Sequence, residues 1–252
     1  MNYDKIFISD LHLGTKASQT KLINQFLETF KTNELYLVGD IFDLWAWKKK
    51  IKWNKSHTSV LKNLIKFAKN HKVYYILGNH DEAIRKFIPL KFDNITVSNK
   101  EYFIYRDKKI YVIHGDQFDF VINKFPFLAW IGTWLYDFII YLNIFVSWFR
   151  EKLGFPYWSI SKYLKDKAKS SFGVLEKYKL HLLSFCKSKR INIIIFGHLH
   201  MPQLKVTEDV IIANTGDWVE NCSAIGLVGG EIHLLMYDRF SDTWEVRSRL
   251  SI

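Results

Sequence analysis

The sequence predicts an α/β fold in which several strands deliver their ends to one crevice, and two observations carry that prediction. First, five short runs rich in Ile, Val, Phe, Tyr and Leu stop abruptly at Gly, Asp or His: Lys5 to Ser9, Leu35 to Val38, Val73 to Leu77, Ile110 to Ile113 and Ile191 to Phe196. Brief β-branched and aromatic runs bounded in this way read as buried strands. Second, three longer stretches carry apolar residues at helical spacing: Lys16 to Lys31, His57 to His71 and Val174 to Lys189. In such architectures, side chains at strand ends converge on a common crevice.

The strand ends carry the chemistry. In order they are Asp10-Leu11-His12, Gly39-Asp40, Gly78-Asn79-His80-Asp81, His114-Gly115-Asp116 and Gly197-His198-Leu199-His200. Asp10, His12, Asp40, Asn79, His114, His198 and His200 supply carboxylate, amide and imidazole groups and no thiolate. Mixed O/N sets of this kind suit Mn²⁺, Fe²⁺ or Zn²⁺. Seven ligands are too many for one tetrahedral ion and suit a pair of ions that share a bridging carboxylate. Asp-x-His and His-x-His place both side chains on one side of an extended segment.

This ordered set resembles the calcineurin-like metallophosphoesterases, whose D-x-H, G-D, G-N-H-D/E, H and G-H-x-H pattern is present in full. Within them, Gly39-Asp40-Ile41-Phe42-Asp43-Leu44-Trp45, His114-Gly115-Asp116 and Gly197 to Pro202 look most like the UDP-2,3-diacylglucosamine diphosphatases of lipid A synthesis. The resemblance implies an α+β, four-layer α/β/β/α sandwich. It implies two divalent ions, Mn²⁺ foremost: Asp10, His12, Asp40 and His200 on one, Asp40, Asn79, His114 and His198 on the other. His80 then reaches the phosphoryl group, and Asp81 is expected to orient its ring. His80 stands where the best-known diphosphatases carry Arg. A fixed cation suffices to expel a phosphate, whereas expelling an alcohol benefits from a proton donor. A phosphodiesterase or phosphatase acting on another amphiphilic phosphate therefore stays open beside hydrolysis of UDP-2,3-diacylglucosamine to UMP and 2,3-diacylglucosamine 1-phosphate. A nuclease is the third reading.

The remaining elements follow in chain order. Asp43 is either support for the site or the N-cap of a helix. Lys48, Lys49, Lys50, Lys52 and Lys55 interleave with Trp45, Trp47 and Trp53 and read as a solvated loop beside the site. His57 and His71 belong to no motif and are expected to be exposed. Glu101 to Ile113 reads as a hairpin turning at Arg106 to Lys109. Val210 to Ala213 is a strand ending in an Asn214 to Trp218 turn, and Ile232 to Arg247 is a closing hairpin.

Phe125 to Phe149 contains no Lys or Arg and one acid, Asp137. It is long enough to span a bilayer, which takes about 20 apolar residues. However, His114 precedes it and His198 and His200 follow it, so the segment has to return to the side it left. It is expected to form a hydrophobic helical lid, inserted at about residues 120–170 of one 1–252 domain, that houses acyl chains and dips into the membrane surface. Lys162, Lys165 and Lys169 would meet anionic headgroups or the substrate diphosphate.

Composition bounds the reading. With 252 residues and 48% hydrophobic content the chain buries a full core. A net charge of +11 favours anionic partners: phosphate substrates, an anionic membrane face or nucleic acid. The lid argues against nucleic acid and for a nucleotide-activated glycolipid. Cys186 and Cys222 read as free thiols of a reducing compartment. The chain enters its first strand too early for a cleavable signal, so a cytoplasmic protein, peripheral on the inner face of the cytoplasmic membrane, is expected.

Overall fold

The computed structural model describes residues 2–119 and 174–252. Two compact units divide the chain, one made of residues 1–115 with 186–252 and the other of residues 116–185. The larger unit holds every residue expected to ligate metal. The apolar segment Phe125 to Phe149, and with it Lys162, Lys165 and Lys169, lies outside the described residues.

Two mixed sheets form the larger unit. In the first, β1 (Asn2–Ile8), β2 (Lys31–Val38), β3 (Lys72–Ile76) and β5 (Ile95–Ser98) run parallel, with β4 (Leu90–Phe92) antiparallel at one edge. On the other side β11 (Ser223–Val228), β12 (Glu231–Asp238) and β13 (Thr243–Ser251) add antiparallel strands. The order is β13-β12-β11-β1-β2-β3-β5-β4. The second sheet, in the order β6-β7-β8-β10-β9, comprises β6 (Lys100–Tyr105), β7 (Lys108–Ile113), β8 (Ile193–Phe196), β9 (Gln203–Thr207) and β10 (Val210–Asn214).

Burial on both faces explains why the second halves of β1 and β2 are apolar throughout. Ile6, Ile8, Leu35 and Leu37 face helices α1 (Thr20–Thr29) and α3 (Lys55–Ala68), meeting Ile23, Phe26, Val60 and Leu64. Their alternates Phe7, Tyr36 and Val38 face the second sheet and pack with Ile110, Val112, Ile193 and Ile195. A strand buried on both faces has no use for polar residues until it ends. Trp218 fills the helix side with no exposed surface, edge-on to Phe26 at 5.0 Å. Burying a side chain of that size contributes roughly 2 kcal/mol or more. Helix α4 (Val174–Lys189) enters β8, and its end is tied to β7 where Lys109 Nζ donates to the Lys189 carbonyl at 3.0 Å. In the smaller unit, the described residues place Phe118 edge-on to Tyr178 on α4.

Several local expectations change. α1 starts at Thr20 rather than Lys16, because Ser18 Oγ donates to the Leu11 carbonyl and Gln19 N to that of Trp218. The hairpin turns more tightly than expected, at Arg106 and Asp107, both at positive φ, which leaves Lys108 and Lys109 in β7. The Lys/Trp stretch begins as a short helix, α2 (Leu44–Lys49), instead of a loop throughout. His57 is buried, not exposed, and completes a capping box with Asn54 at the head of α3. β4, β5, β9 and β11 had no predicted counterpart. In β11 the signal is masked by Ser223, Ala224 and Gly226; Gly226 is required there because a Cβ would enter the Tyr3 ring.

Candidate metal centre

Five strand ends meet. Asp10 and His12 follow β1, Asp40 follows β2, Asn79 and His80 follow β3, His114 follows β7, and His198 and His200 follow β8. The loops are stitched together through their backbones: Asp10 N donates to the Gly39 carbonyl at 2.9 Å, His12 N to that of Asp40 at 3.0 Å, and Gly197 N to that of His114 at 2.9 Å. Asp10, His12, Asp40, His198 and His200 all have φ between 45° and 62°. Non-glycine residues reach this left-handed region at a cost, and such strain gathers at functional sites.

The glycines before Asp40, Asn79 and His198 have a steric reason. A Cβ on Gly39 would fall on the His114 imidazole, one on Gly78 on the Asp40 carboxylate, and one on Gly197 on Ser9 and Asp10. Gly-Asp, Gly-Asn and Gly-His are thus the sequence trace of side chains from one loop occupying the space beside another backbone.

Among the described residues, three groups of potential ligand atoms lie within 4.8 Å of one another: Asp10, His12 and His200; His12, Asp40 and His80; and Asp10, Asp40 and His114. His200 Nε2 lies 3.0 Å from Asp10 Oδ1 and 3.4 Å from His12 Nε2. His114 Nε2 lies 3.4 Å from Asp40 Oδ2, and its ring is edge-on to His198 at 5.2 Å. Backbone amides complete the carboxylates: His198 N donates to Asp10 Oδ2 at 3.1 Å and His80 N to Asp40 Oδ1 at 2.8 Å.

These residues fit divalent ions on two grounds. The Asn79 Oδ1 atom is buried without a hydrogen-bond donor, which is costly for a polar oxygen. His114 Nδ1 donates to the Val38 carbonyl at 2.9 Å, and His12 Nδ1 to Asp43 Oδ2 at 3.2 Å. The His114 proton is thereby placed on Nδ1, and its Nε2 faces Asp40 Oδ2. Two acceptors facing each other need a proton or a metal ion between them.

Asp43 resolves its two readings by doing both. Its Oδ1 caps α2 by accepting from Ala46 N at 2.7 Å, and it also accepts from His80 Nδ1 at 3.0 Å; its Oδ2 takes His12. One carboxylate therefore sets the tautomer of an expected ligand and of the expected catalytic histidine. Asp81 does not orient His80. It is wholly buried and spent on the backbone, accepting from Ile41 and Gly78 through Oδ2 and from Phe42 through Oδ1. Burial and the nearby Asp40 charge push its carboxyl up to about 6. Its fixed role is to hold the β2 loop against the β3 loop.

Burial drives the Asp10, Asp40 and Asp43 carboxyls up, but neighbouring imidazoles win: His200 at Asp10, His114 at Asp40, and His12 with His80 at Asp43. All three stay well below the ordinary carboxylate range. Burial lowers the His12 pKa, and Asp43 more than reverses this, raising it to about 9. Two contributors were not anticipated. Ser9 Oγ donates to Asp10 and meets Thr215 Oγ1 at 2.6 Å, and the Trp45 indole lies on the His80 ring with centroids 4.3 Å apart. Ser9 sits beside Asp10 with no signal of its own; Trp45 stood in the Lys/Trp run.

Comparison with known proteins decides the family. The family model described as calcineurin-like phosphoesterase matches residues 6–202. The chain belongs to this family. Its relatives include a UDP-2,3-diacylglucosamine hydrolase of Psychromonas ingrahamii, 24% identical over 241 residues covering 92% of this chain and 96% of that one. Another of that name, from Wigglesworthia glossinidia brevipalpis, is 28% identical over 209 residues, 80% of this chain and 81% of that one. Among solved structures, Vacuolar Protein Sorting 29 from Cryptosporidium parvum aligns over 98% of this chain and 97% of its own, with a TM-score of 0.51 at 15% identity. Yfce, a phosphoesterase from E. coli, aligns over 98% of both chains with a TM-score of 0.50 at 14% identity. The solved structures share the α+β calcineurin-like phosphoesterase fold. Family and relatives together make the chain a metal-dependent hydrolase of phosphoric ester bonds.

Proposed function

We propose that this phosphoesterase hydrolyses UDP-2,3-diacylglucosamine to UMP and 2,3-diacylglucosamine 1-phosphate at the inner face of the cytoplasmic membrane. The observation that carries the reading is the near end-to-end alignment with a relative of that name, over 92% of this chain, beside a family match over residues 6–202 that spans all five strand ends. Asp10, His12, Asp40 and His200 would hold one divalent ion, and Asp40, Asn79, His114 and His198 the other, with Mn²⁺ the first choice and Fe²⁺ or Zn²⁺ also suited to the donors. When bound, such ions supply Lewis-acid charge and a water of lowered pKa.

The chain's own groups do the rest. Asp43 accepts the Nδ1 proton of His80, so Nε2 faces the site, 3.9 Å from Asp40 Oδ2. Trp45 covers one face of that ring against water. Water adds to the phosphorus bearing uridine, the bond from that phosphorus to the bridging oxygen breaks, and the sugar 1-phosphate departs. A proton on His80 Nε2 would stabilise the departing oxygen or pass to it. The lid, with Lys162, Lys165 and Lys169, would receive the acyl chains and the diphosphate.

The Asp43-held His80 also favours a second reading, a phosphodiesterase acting on another amphiphilic substrate, since a proton donor matters most when an alcohol leaves. Incubation of purified protein with Mn²⁺ and UDP-2,3-diacylglucosamine, with products identified by mass, separates the two. UMP and the acylated sugar 1-phosphate are expected. Turnover of a simple aryl phosphodiester without UMP release would replace the first reading with the second.

A further inference from the structure

We propose that the open edge of the eight-stranded sheet, together with the outer face of α3, docks on an anionic lipid bilayer. After Asp81 the chain forms a 3₁₀ turn, Glu82–Phe87, and then the edge strand β4. Ile84 and Ile88 pack against the core and anchor the segment, while Phe87 is 69% exposed, Leu90 37% and Phe92 48%. A soluble surface has little reason to present three large apolar side chains within six residues, anchored from behind, unless something apolar meets them.

The charge beside them is net positive, since exposed Glu82 and Asp93 on the segment are outnumbered by exposed Lys62, Lys66, Lys69, Lys86 and Lys91. α3 contains no acid, and Lys62, Ile65, Lys66 and Lys69 share its exposed face at spacings of three and four, with Ile65 51% exposed. The β4–β5 turn joins this face to the sheet edge: Asn94 Nδ2 donates to the Ala68 carbonyl at 3.0 Å, and Val73 N donates to the Asn94 carbonyl at 2.9 Å. Lys86 and Lys91 are exposed along the edge itself. Aromatic and aliphatic side chains interspersed with lysines match the boundary between acyl chains and anionic headgroups. Leu90 and Ile65 favour hydrocarbon over nucleic-acid bases. β4 is three residues long and carries Lys91 at its centre, so strand pairing with a second copy is disfavoured.

The surface rests on the membrane-face reading only in placing the enzyme where an amphiphilic substrate resides, and it is tested without turnover. The full chain is co-sedimented with phosphatidylcholine vesicles with and without phosphatidylglycerol, alongside Phe87→Ser/Phe92→Ser and Lys66→Glu/Lys69→Glu variants. Binding to the anionic vesicles is expected to fall by about tenfold in each variant, with melting temperature and hydrolysis of a soluble aryl phosphate ester unchanged. Wild-type vesicle binding in both variants overturns the proposal. So does a variant that merely converts a dimer to a monomer, or one that loses single-stranded DNA binding while keeping vesicle binding. Vesicle binding through this edge without UMP release would leave the surface standing and remove the substrate.

Discussion

Asp43 shows most clearly how one residue couples positions far apart in sequence, because its two oxygens serve His12, His80 and the head of α2 at once. Asn at this position keeps one acceptor and turns the other into a donor, so at least one imidazole loses its partner. Asp43→Asn is therefore expected to lower kcat by about 10²- to 10⁴-fold, while the protein still folds; steady-state kinetics with Mn²⁺ checks this, and a change within twofold would remove Asp43 from the machinery. His80→Arg tests the leaving-group argument from the other side. A fixed cation keeps pyrophosphate cleavage but cannot protonate an alkoxide, so hydrolysis of an alkyl phosphodiester should fall while any diphosphate cleavage persists. Equal loss on both substrates would deny His80 a proton-donating role. That the Asp-x-His, Gly-Asp, Gly-Asn-His and Gly-His-x-His pieces were legible in the sequence has a physical basis: each ligand needs a glycine or a partner at fixed spacing. Asp43's double duty, Ser9's contact with Asp10 and Asp81's attachment to backbone amides were not legible, since each depends on a loop from another strand.

At the scale of single elements, α3 depends on a capping box that period alone did not show. Asn54 Oδ1 accepts from Ser56 N and His57 N, and His57 Nε2 reaches the Thr15 carbonyl at 3.2 Å, tying the helix to the loop after His12. Asn54→Ala is expected to cost about 1 kcal/mol and to lower Tm by about 2–4 °C, measured by calorimetry. Burial lowers the His57 pKa below 6.5, and the Thr15 carbonyl only partly offsets this. The unfolded chain thus takes up a proton at this ring before the folded chain does. Its contribution is complete above pH 6.5 and shrinks as pH falls through that value. The Tm gap between wild type and His57→Gln should accordingly narrow below pH 6.5; a gap that widens on acidification would mean that the buried ring is charged. The strands with continuous β-branched runs were readable as strands because both faces are buried. The edge strands β4 and β9 were not, because neither has a buried residue and periodicity fades there.

Across the whole molecule, two sheets press their inner faces together and bring the loops after β1, β2, β3, β7 and β8 to one place, so residues as distant as Asp10 and His200 come within 3.0 Å. The α+β family fold was legible because the five strand ends occur in order along the chain. The order of strands in each sheet was not, since β11 to β13 join the first sheet from the far end of the sequence. A fold that brings Asp10, His12, Asp40, His114 and His200 together should be stabilised by what they bind, so Mn²⁺ is expected to raise Tm as its concentration exceeds its dissociation constant. Gly78→Ala, which sets a methyl group against Asp40, should lose that rise. The most direct measurement is the number of Mn²⁺ ions bound per chain, by elemental analysis after equilibrium dialysis of wild type and Asp40→Ala. Two ions in wild type and at most one in Asp40→Ala is the expected result, because Asp40 is the carboxylate that both ions would share. A single ion in wild type, or two retained without Asp40, would contradict the dinuclear centre.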